Sequence, residues 1–371
     1  KTVTPAYTQH EVRYTIHYTL YTKTMTQLLT YPDIDPQQWN ELVQSSPTAT
    51  WFQTPEAYEF YAANKEEMTP FAIGVEEKEC KVESLKFKGE ENSEAETTAS
   101  TPYTLPPTPA LKGVIVGYIT RERNPLKQHF TRRAIIYGGP LLANDISDEA
   151  LSALLTSLTK LPSLQGGGGG RLTPIYIETR NFHDYSRWKE VFEKAGFNYQ
   201  KHLNFHINTT SLDLAQGNIG KHRWKYIRLS MRDGAKIVEH PTIEQVRAFY
   251  TILQDLYCTK VRTPLWSWEF FEQLYYVENA KYILVELDGQ IVGGTVCVCL
   301  PGKAVYEWYA CGLDNCRDDI RPLSVAIWGE MQYAAENGYP LFDFMGAGKP
   351  DEPYGVRDFK AEFGGELVEH G

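Results

Sequence analysis

The sequence lacks the patterns that mark metal-binding, triphosphate-binding and membrane-spanning proteins. Its six cysteines include no Cys-x-x-Cys pair and no histidine spacing suited to zinc, so we expect no metal. Cys297 and Cys299 lie in an apolar run that is typical of a buried strand. The five glycines at 166–170 lack the Lys-Ser/Thr of a phosphate loop, which favours a linker. No run of eighteen apolar residues is present, so we expect no membrane span.

Basic residues are in the minority. The chain has 37 Lys and Arg against 47 Asp and Glu, a formal net charge of -10, which argues against a general nucleic-acid-coating protein. No secretory signal pattern is visible, and the cysteine usage fits a reducing compartment. We therefore expect a cytoplasmic protein.

The length of 371 residues favours two domains. We predict a poorly ordered extension at 1–24, an N-terminal domain at 25–208 and a C-terminal domain at 209–371. The tract 78–111, rich in Glu, Lys, Ser, Thr and Pro, is predicted to be a variable loop. Both domains show the same predicted order: helix, helix, three strands, helix, strand, helix, strand. The fold class is thus mixed α/β, with one supersecondary order used twice.

The stretch 341–365 most resembles an active site. Residues 341–345 have the pattern of a buried strand, and the glycines and proline at 346–350 predict a turn. A helix follows, with Val356, Phe359 and Phe363 spaced to share one buried face. A strand that ends at a glycine turn leaves a gap beyond its carboxyl end, where a ligand can reach backbone groups.

Two side chains of this stretch are candidate catalytic residues, each with an alternative role. Asp343 is a candidate base if its surroundings raise its pKa, and otherwise it caps the following turn. Lys360 is a candidate donor to the oxyanion of an acyl-transfer intermediate, and otherwise it is a solvated lysine on an amphipathic helix.

A second candidate site is a basic stripe on a predicted helix at 219–232. Its members follow at i, i+4, i+7 and i+11, which places them along one face: Lys221, Lys225, Arg228 and Arg232. Such a stripe suits the phosphates of a tRNA or of a nucleotide-linked acceptor. A solvated face is the alternative.

Five motifs lie in this framework: Thr-Trp-Phe-Gln-Thr at 50–54, Lys-His-Arg-Trp-Lys-Tyr-Ile-Arg at 221–228, Glu-Trp-Tyr-Ala-Cys-Gly-Leu-Asp at 307–314, Phe-Asp-Phe-Met-Gly at 342–346 and Val-Arg-Asp-Phe-Lys-Ala-Glu-Phe-Gly at 356–364. With the repeated element order they resemble the Fem family, FemX and FemA/FemB-like enzymes with two tandem GNAT-like acyltransferase domains. The resemblance begins at about Met25 and is most specific in the C-terminal half.

The resemblance implies transfer of an aminoacyl group from a charged tRNA to an amine of a nucleotide- or lipid-linked muropeptide, without a metal or a bound cofactor. Phe359 and Lys360 match the pair whose lysine lies at the reacting centre in FemX-like enzymes. Tyr309, in the 307–314 motif, is a further candidate for substrate binding. One departure is Glu59, which stands near the place of an acceptor-binding lysine of those enzymes.

The donor is the main point left open by the sequence. A coenzyme A enzyme of this superfamily needs a glycine-containing loop before its long helix, because backbone N–H groups there hold the pyrophosphate. The loop 314–322 contains no glycine and three acidic residues, which favours a charged tRNA over acyl-CoA. The alternatives are an acyl-CoA-dependent N-acyltransferase acting on a sugar or lipid amine, and a non-catalytic protein that binds a nucleotide-linked sugar.

Overall fold

The structure, a computed structural model, describes residues 15–88, 109–121, 131–161, 174–313 and 316–371. Two mixed sheets with helices packed against them confirm the predicted mixed α/β class. The predicted glycine linker at 166–170 lies outside the described residues. Among the described helices, none is both long and apolar enough to cross a membrane.

The first sheet comes from the N-terminal part of the chain. Its strands are β1 (Thr15–Thr30), β2 (Met68–Lys88), β3 (Ala110–Thr120), β4 (Arg133–Gly138), β5 (Leu141–Leu142) and β6 (Tyr176–Asn181). Its helices are α1 (Pro36–Ser45), α2 (Pro55–Ala63), α3 (Asp148–Ser157) and α4 (Lys189–Lys194). The strands lie in the order β1-β2-β3-β4-β6, with β5 paired to β3. Asp35, Thr54 and Ser147 cap the first three helices by accepting a hydrogen bond from a first-turn N–H.

The second sheet comes mainly from the C-terminal part. Its strands are β7 (His202–Asn208), β8 (Lys236–Val238), β9 (Ala280–Leu287), β10 (Gln290–Leu300), β11 (Ala304–Gly312), β12 (Leu341–Asp343) and β13 (Glu366–His370). Its helices are α5 (Leu212–Asn218), α6 (Lys221–Arg232), α7 (Ile243–Leu256), α8 (Trp268–Tyr275), α9 (Pro322–Glu336) and α10 (Gly355–Ala361). The strands lie in the order β13-β7-β12-β11-β10-β9-β8. The β9–β10 hairpin turns through Asp288 and Gly289, both with positive φ, as an Asp-Gly turn requires.

The structure differs from the predicted domain boundary at 208/209. Strand β7 was expected to close the N-terminal domain, but it lies in the second sheet between β12 and β13. Its alternate side chains Phe205 and Ile207 are buried in the core of the second domain. The second domain therefore begins at about His202, because the backbone of β7 finds both of its partners there.

Strands occupy parts of both segments that were predicted to lack regular structure. Strand β1 pairs with β2 from Thr15 onward, so the last part of the predicted extension 1–24 belongs to the first sheet. Strand β2 continues to Lys88 and β3 begins at Ala110, which leaves less of the predicted loop 78–111 outside the strands. Residues 1–14 and 89–108 lie outside the described residues.

Among the described strands each sheet has one parallel pair, and the two pairs differ in the number of residues over which they are paired. In the first sheet, β4 and β6 pair over six residues, up to Gly138 and Asn181. In the second sheet, β11 and β12 pair over only three, from Ala304 and Leu341 to Tyr306 and Asp343. Beyond this point the two strands of the second pair separate. We call the space between them the β11/β12 gap.

A β-bulge lies on β11 at the start of this gap. Cys297 of β10 pairs with Glu307 while Val296 pairs with Tyr309, so Trp308 is the extra residue of β11. A bulge bends its strand and increases the local twist. The bulge thus lies just beyond Tyr306, where the pairing of β11 with β12 ends.

An aromatic cluster joins the two domains into one core. Trp51 and Phe52, in the 50–54 motif of the first domain, pack against Trp308 of the second with ring centroids 6.1 and 5.1 Å apart. Polar contacts at its edge also cross between the domains: Glu56 accepts from the Asn279 side chain at 2.9 Å, and the Lys303 ammonium donates to the Ser46 carbonyl at 2.6 Å. The interface thus resembles a protein interior rather than a loose domain contact.

Candidate active site at a gap between two parallel strands

Lys360 on α10 bridges the two sides of the β11/β12 gap. Its ammonium donates to the carbonyls of Phe344 at 2.7 Å and Gly346 at 3.0 Å, both just beyond β12. On the other side it forms an ion pair with Glu307 of β11, with a nitrogen–oxygen distance of 3.5 Å. The lysine side chain is 14% exposed and the glutamate side chain 5%. Lys360 is therefore a nearly buried cation inside the gap, not a solvated surface lysine.

The charge of Lys360 has a buried counterion that sequence reasoning did not assign. Burial raises the pKa of Glu307, the Lys360 ammonium acts in the opposite direction, and the nearby Asp343 adds to the rise. Glu307 stands in the 307–314 motif, where the strand pattern predicts an apolar inward side chain. Acidic side chains are rarely buried without a partner, so Glu307 at this inward position was a signal in the sequence for a buried ion pair.

Asp343 ends β12, and its carboxylate is fully used by neighbours. Its Oδ1 accepts from the Asn204 amide and from the Met345 N–H, both at 2.6 Å, and its Oδ2 lies 3.1 Å from His206 Nε2. Burial acts to raise its pKa, but His206, Asn204 and the Met345 N–H outweigh burial and hold the pKa below its ordinary value. The raised pKa that a base role requires is absent. The geometry is that of the alternative, a carboxylate that caps the following turn.

The predicted inward face of α10 is only partly correct. Phe363 is fully buried and Phe359 packs against it with centroids 5.4 Å apart, whereas Val356 is 43% exposed. Arg223 of α6 takes up the outer side of Phe359: its guanidinium lies 4.6 Å from the ring centroid and donates to Glu362 at 3.0 Å. Arg223, to which no role was assigned from the sequence, therefore fixes the helix that carries Lys360.

An interdomain cleft of about 1380 Å³ opens on the face of the second sheet that carries His202 and Asn204 of β7. The opposite face of β7 carries the buried Phe205 and Ile207. The cleft lies between β6 of the first domain and the β7 strand and Met345–Gly346 turn of the second. Three histidines line this cleft: His183, His202 and His370. His183, His370 and His206 interact with Asp343, His206 through a direct contact of 3.1 Å. In the described part of the chain no group of His, Cys, Asp or Glu has an arrangement that holds a metal ion.

The predicted basic stripe is exposed on α6, but its four members are not equivalent. Lys221, Lys225 and Arg228 have no polar partner among the described residues, whereas Arg232 forms a two-pronged pair with Asp233 at 2.7 and 2.8 Å. The stripe therefore offers three cations to a ligand rather than four. It lies on the helix next to α10, not inside the gap.

Tyr309 and Glu59, which the sequence analysis singled out, both lie outside the β11/β12 gap contacts described above. Tyr309 is half-buried in the aromatic cluster, with its ring 5.1 Å from Phe271 and 5.8 Å from Trp308. Glu59, at the place of an acceptor-binding lysine in FemX-like enzymes, is exposed and accepts from the Tyr31 hydroxyl at 3.0 Å. The first domain thus presents a negative charge where that resemblance implied a positive one.

The two arginines of the loop before α9 already bind oxygen atoms of the protein. Arg317 pairs with Asp319 at 2.9 Å, and Arg321 donates to the carbonyl of Asp318 at 2.7 Å. Residues 314 and 315 of this loop lie outside the described residues. Its described arginines contact protein oxygens and are not free for a pyrophosphate.

Comparisons with known proteins agree with this architecture. Residues 221–360 match the family model described as acetyltransferase (GNAT) domain. Among solved structures, the crystal structure of FemX has a TM-score of 0.62 at 14% identity, covering 93% of this chain and 95% of that one. A tandem GNAT protein from the clavulanic acid biosynthesis pathway has a TM-score of 0.51 at 9% identity, covering 93% and 96%. No curated protein sequence gives a significant match.

These matches confirm the predicted tandem GNAT-like fold and the predicted enzyme class. Both structural relatives span nearly the whole chain, so both domains are included in the likeness. The family match contains the gap, Glu307 and Lys360. Residues 221–360 are thus similar to a GNAT acetyltransferase domain, in a chain with the tandem fold that FemX also has.

Proposed function

We propose that this protein transfers an aminoacyl group from a charged tRNA to an amine of a nucleotide- or lipid-linked muropeptide, in the cytoplasm. The observation that carries the proposal is the β11/β12 gap with the Lys360 ammonium inside it. A cation fixed by two carbonyls and one carboxylate is held in place before the reaction, as stabilisation of a developing oxyanion requires. The resemblance to FemX-like enzymes supports the choice of donor and acceptor.

In this proposal the acyl carbonyl lies in the gap with its oxygen near Lys360. The amine attacks the carbonyl carbon, and negative charge develops on the oxygen. The longest of the three Lys360 contacts, 3.5 Å to Glu307, is the one that a substrate oxygen replaces most easily. Phe359 holds the backbone of the lysine in place through its packing on Phe363. The exposed cations Lys221, Lys225 and Arg228 supply contacts for phosphates of the donor or acceptor.

An acyl-CoA donor is the second candidate, because the family model matched by residues 221–360 is that of an acetyltransferase domain. The occupied arginines of the loop before α9 and its lack of glycine weigh against it. A direct comparison decides: purified protein is mixed with a UDP-linked muropeptide and with mixed aminoacyl-tRNA or acetyl-CoA, and the products are identified by mass spectrometry. Transfer from acetyl-CoA but not from tRNA would contradict our choice of donor.

Lys360→Met tests the role of the gap. We expect turnover to fall about 10²- to 10³-fold with little change in KM, the scale seen when one oxyanion donor is removed. Because the change also leaves Glu307 unpaired, the double variant Lys360→Met/Glu307→Gln separates lost chemistry from lost stability. Lys194→Met, at an exposed lysine paired with Glu190 on α4, is the matched control. Wild-type turnover in Lys360→Met would exclude the proposed role.

A further inference from the structure

Acylation of an amine needs a proton acceptor, because an alkylammonium has no lone pair with which to attack. Asp343 is unsuited: it is ionised and its oxygens are already hydrogen-bonded. Glu307 is paired with Lys360. The remaining candidate bases are the three histidines of the interdomain cleft, His183, His202 and His370, and His206 beside Asp343.

Three of these histidines are poorly placed. His206 is bonded to Asp343 through Nε2. His183 is half-buried, and its Nε2 is buried without a partner among the described residues. Both ring nitrogens of His370 are likewise buried without a described partner. The His206 Nε2 is therefore bonded, and the His183 Nε2 and both His370 nitrogens are shielded from the cleft.

His202 differs from the others because it is exposed, lines the cleft and has no hydrogen-bond partner among the described residues. It shares a face of β7 with Asn204 and His206, and its ring lies against Gly346. A Cβ built on Gly346 would stand 3.0 Å from His202 Nε2. The carbonyl of the same Gly346 accepts from Lys360 at 3.0 Å. One glycine peptide thus separates a free imidazole from the ammonium in the gap.

Resting on the function proposed above, we infer that His202 is the general base that deprotonates the acceptor amine. The absence of a side chain at Gly346 lets a substrate nitrogen in the gap reach the imidazole past the turn. Lys360 faces the acyl oxygen from one side and His202 faces the amine from the other. The acceptor class is therefore an amine that arrives through the interdomain cleft as an ammonium ion.

The step balances as follows. The ammonium transfers one proton to His202 Nε2, and the neutral amine forms the C–N bond while the carbonyl pair moves to oxygen. The second nitrogen proton passes to the leaving ribose oxygen as the C–O bond to the tRNA breaks. The products are an amide, a free hydroxyl and one proton, which His202 releases to water.

The charges around His202 keep it in the form that a base needs. Partial desolvation of the ring is the main cause of its lowered pKa; Arg180, Lys360 and Lys349 lower the pKa further, and Glu178 acts in the opposite direction. His370, its cross-strand partner on β13, also has a pKa lowered mainly by burial. A histidine with a lowered pKa is neutral at pH 7 and becomes charged only as the pH falls through that pKa.

Kinetics of His202→Gln test the inference in the full-length protein, with aminoacyl-tRNA and a UDP-linked muropeptide as probes. We expect kcat to fall about 10²- to 10⁴-fold with KM nearly unchanged, the range for loss of a general base. The wild-type kcat/KM should fall as the pH drops through the His202 pKa, and the variant should lack this limb. The control is His240→Gln, at an exposed histidine in the loop after β8. An unchanged kcat, or a loss confined to KM, would overturn the inference.

An NMR titration of the histidine ring protons judges His202 without any substrate. We expect its pKa below the ordinary value of about 6.5, and a higher pKa in Lys360→Met. A normal or raised pKa in the wild type would overturn the inference even if the enzyme is active. If no donor supports transfer, the proposed function fails, while the titration still decides whether the neutral imidazole exists.

Discussion

Buried carboxylates are the most unusual residues of the second domain. Glu330 of α9 is fully buried, and neither of its carboxylate oxygens has a hydrogen-bond partner among the described residues. Burial, followed by the charge of Glu307, raises its pKa well above the ordinary value, and Thr295 and Cys297 offset only part of this. A carboxyl that is ionised in the unfolded chain but held protonated in the fold costs stability at neutral pH.

Glu330→Gln should therefore stabilise the protein, and the gain should depend on pH. The native pKa is raised, so the stability of the wild type falls as the pH rises above the unfolded pKa of about 4.3. Each unit of pKa difference is worth about 1.4 kcal/mol. We expect a larger gain in the free energy of unfolding at pH 8 than at pH 5, measured by urea denaturation. Glu336→Gln, at an exposed position of the same helix, is the control. A variant less stable at both pH values would reveal an unseen partner for the carboxylate.

At this scale the sequence identified Lys360 but not its surroundings. Helical spacing and the Phe-Lys pair were visible locally, whereas Glu307 reaches the lysine only because α10 packs beside β11. The role of Asp343 turned on its neighbours in the same way. Asn204 and His206 come from β7, a strand far away in the chain. A side chain's pKa depends on such distant partners, which a pattern in one segment does not contain.

Helix α6 carries the exposed basic stripe, and its predicted binding of phosphates can be tested separately from the β11/β12 gap. Changing both Lys225 and Arg228 to Ala should weaken binding of tRNA or a UDP-linked muropeptide and leave the fold intact. Two lost phosphate contacts should lower the slope of log K against log salt by about 1.4 to 1.8. Filter binding across a salt series measures this, with Lys236→Ala, an exposed lysine on the edge strand β8, as the control. An unchanged slope would mean that the stripe is only a solvated face.

Most elements were predictable from local patterns, while their assignment to a sheet was not. Capped helices and the Asp-Gly hairpin depend on neighbouring residues, and the structure contains them. Strand β7 was expected as the last strand of the N-terminal domain, yet its two partners are β12 and β13. Pairing between distant strands is set by the whole sheet and not by the strand's own sequence. Strand β1 was missed because its sequence, rich in Thr and Tyr, was interpreted as an extension without regular structure.

At the scale of the whole molecule, the shared aromatic core should make the two domains unfold together. Trp308→Ala removes the ring that contacts Trp51, Phe52 and Phe270 at the interface. We expect a loss of about 3 to 5 kcal/mol and a single calorimetric transition in both proteins. Tyr276→Ala, at a side chain that is 69% exposed, is the control. Two separate transitions in the wild type would show that the domains are independent.

The parallel pair β4/β6 of the first sheet leaves no gap like that between β11 and β12, and this difference affects the number of reaction centres per chain. In the first sheet the strands stay paired up to Gly138 and Asn181, and Gln53 and Tyr185 bind the Gly138 carbonyl at 3.0 and 2.9 Å. A substrate cannot enter between strands that are hydrogen-bonded to each other. Under the function proposed above, we expect one reaction centre for the two domains, so that an inhibitor spanning the β11/β12 gap saturates the protein at one equivalent per chain. The first copy of the fold is then available to select what reaches the second.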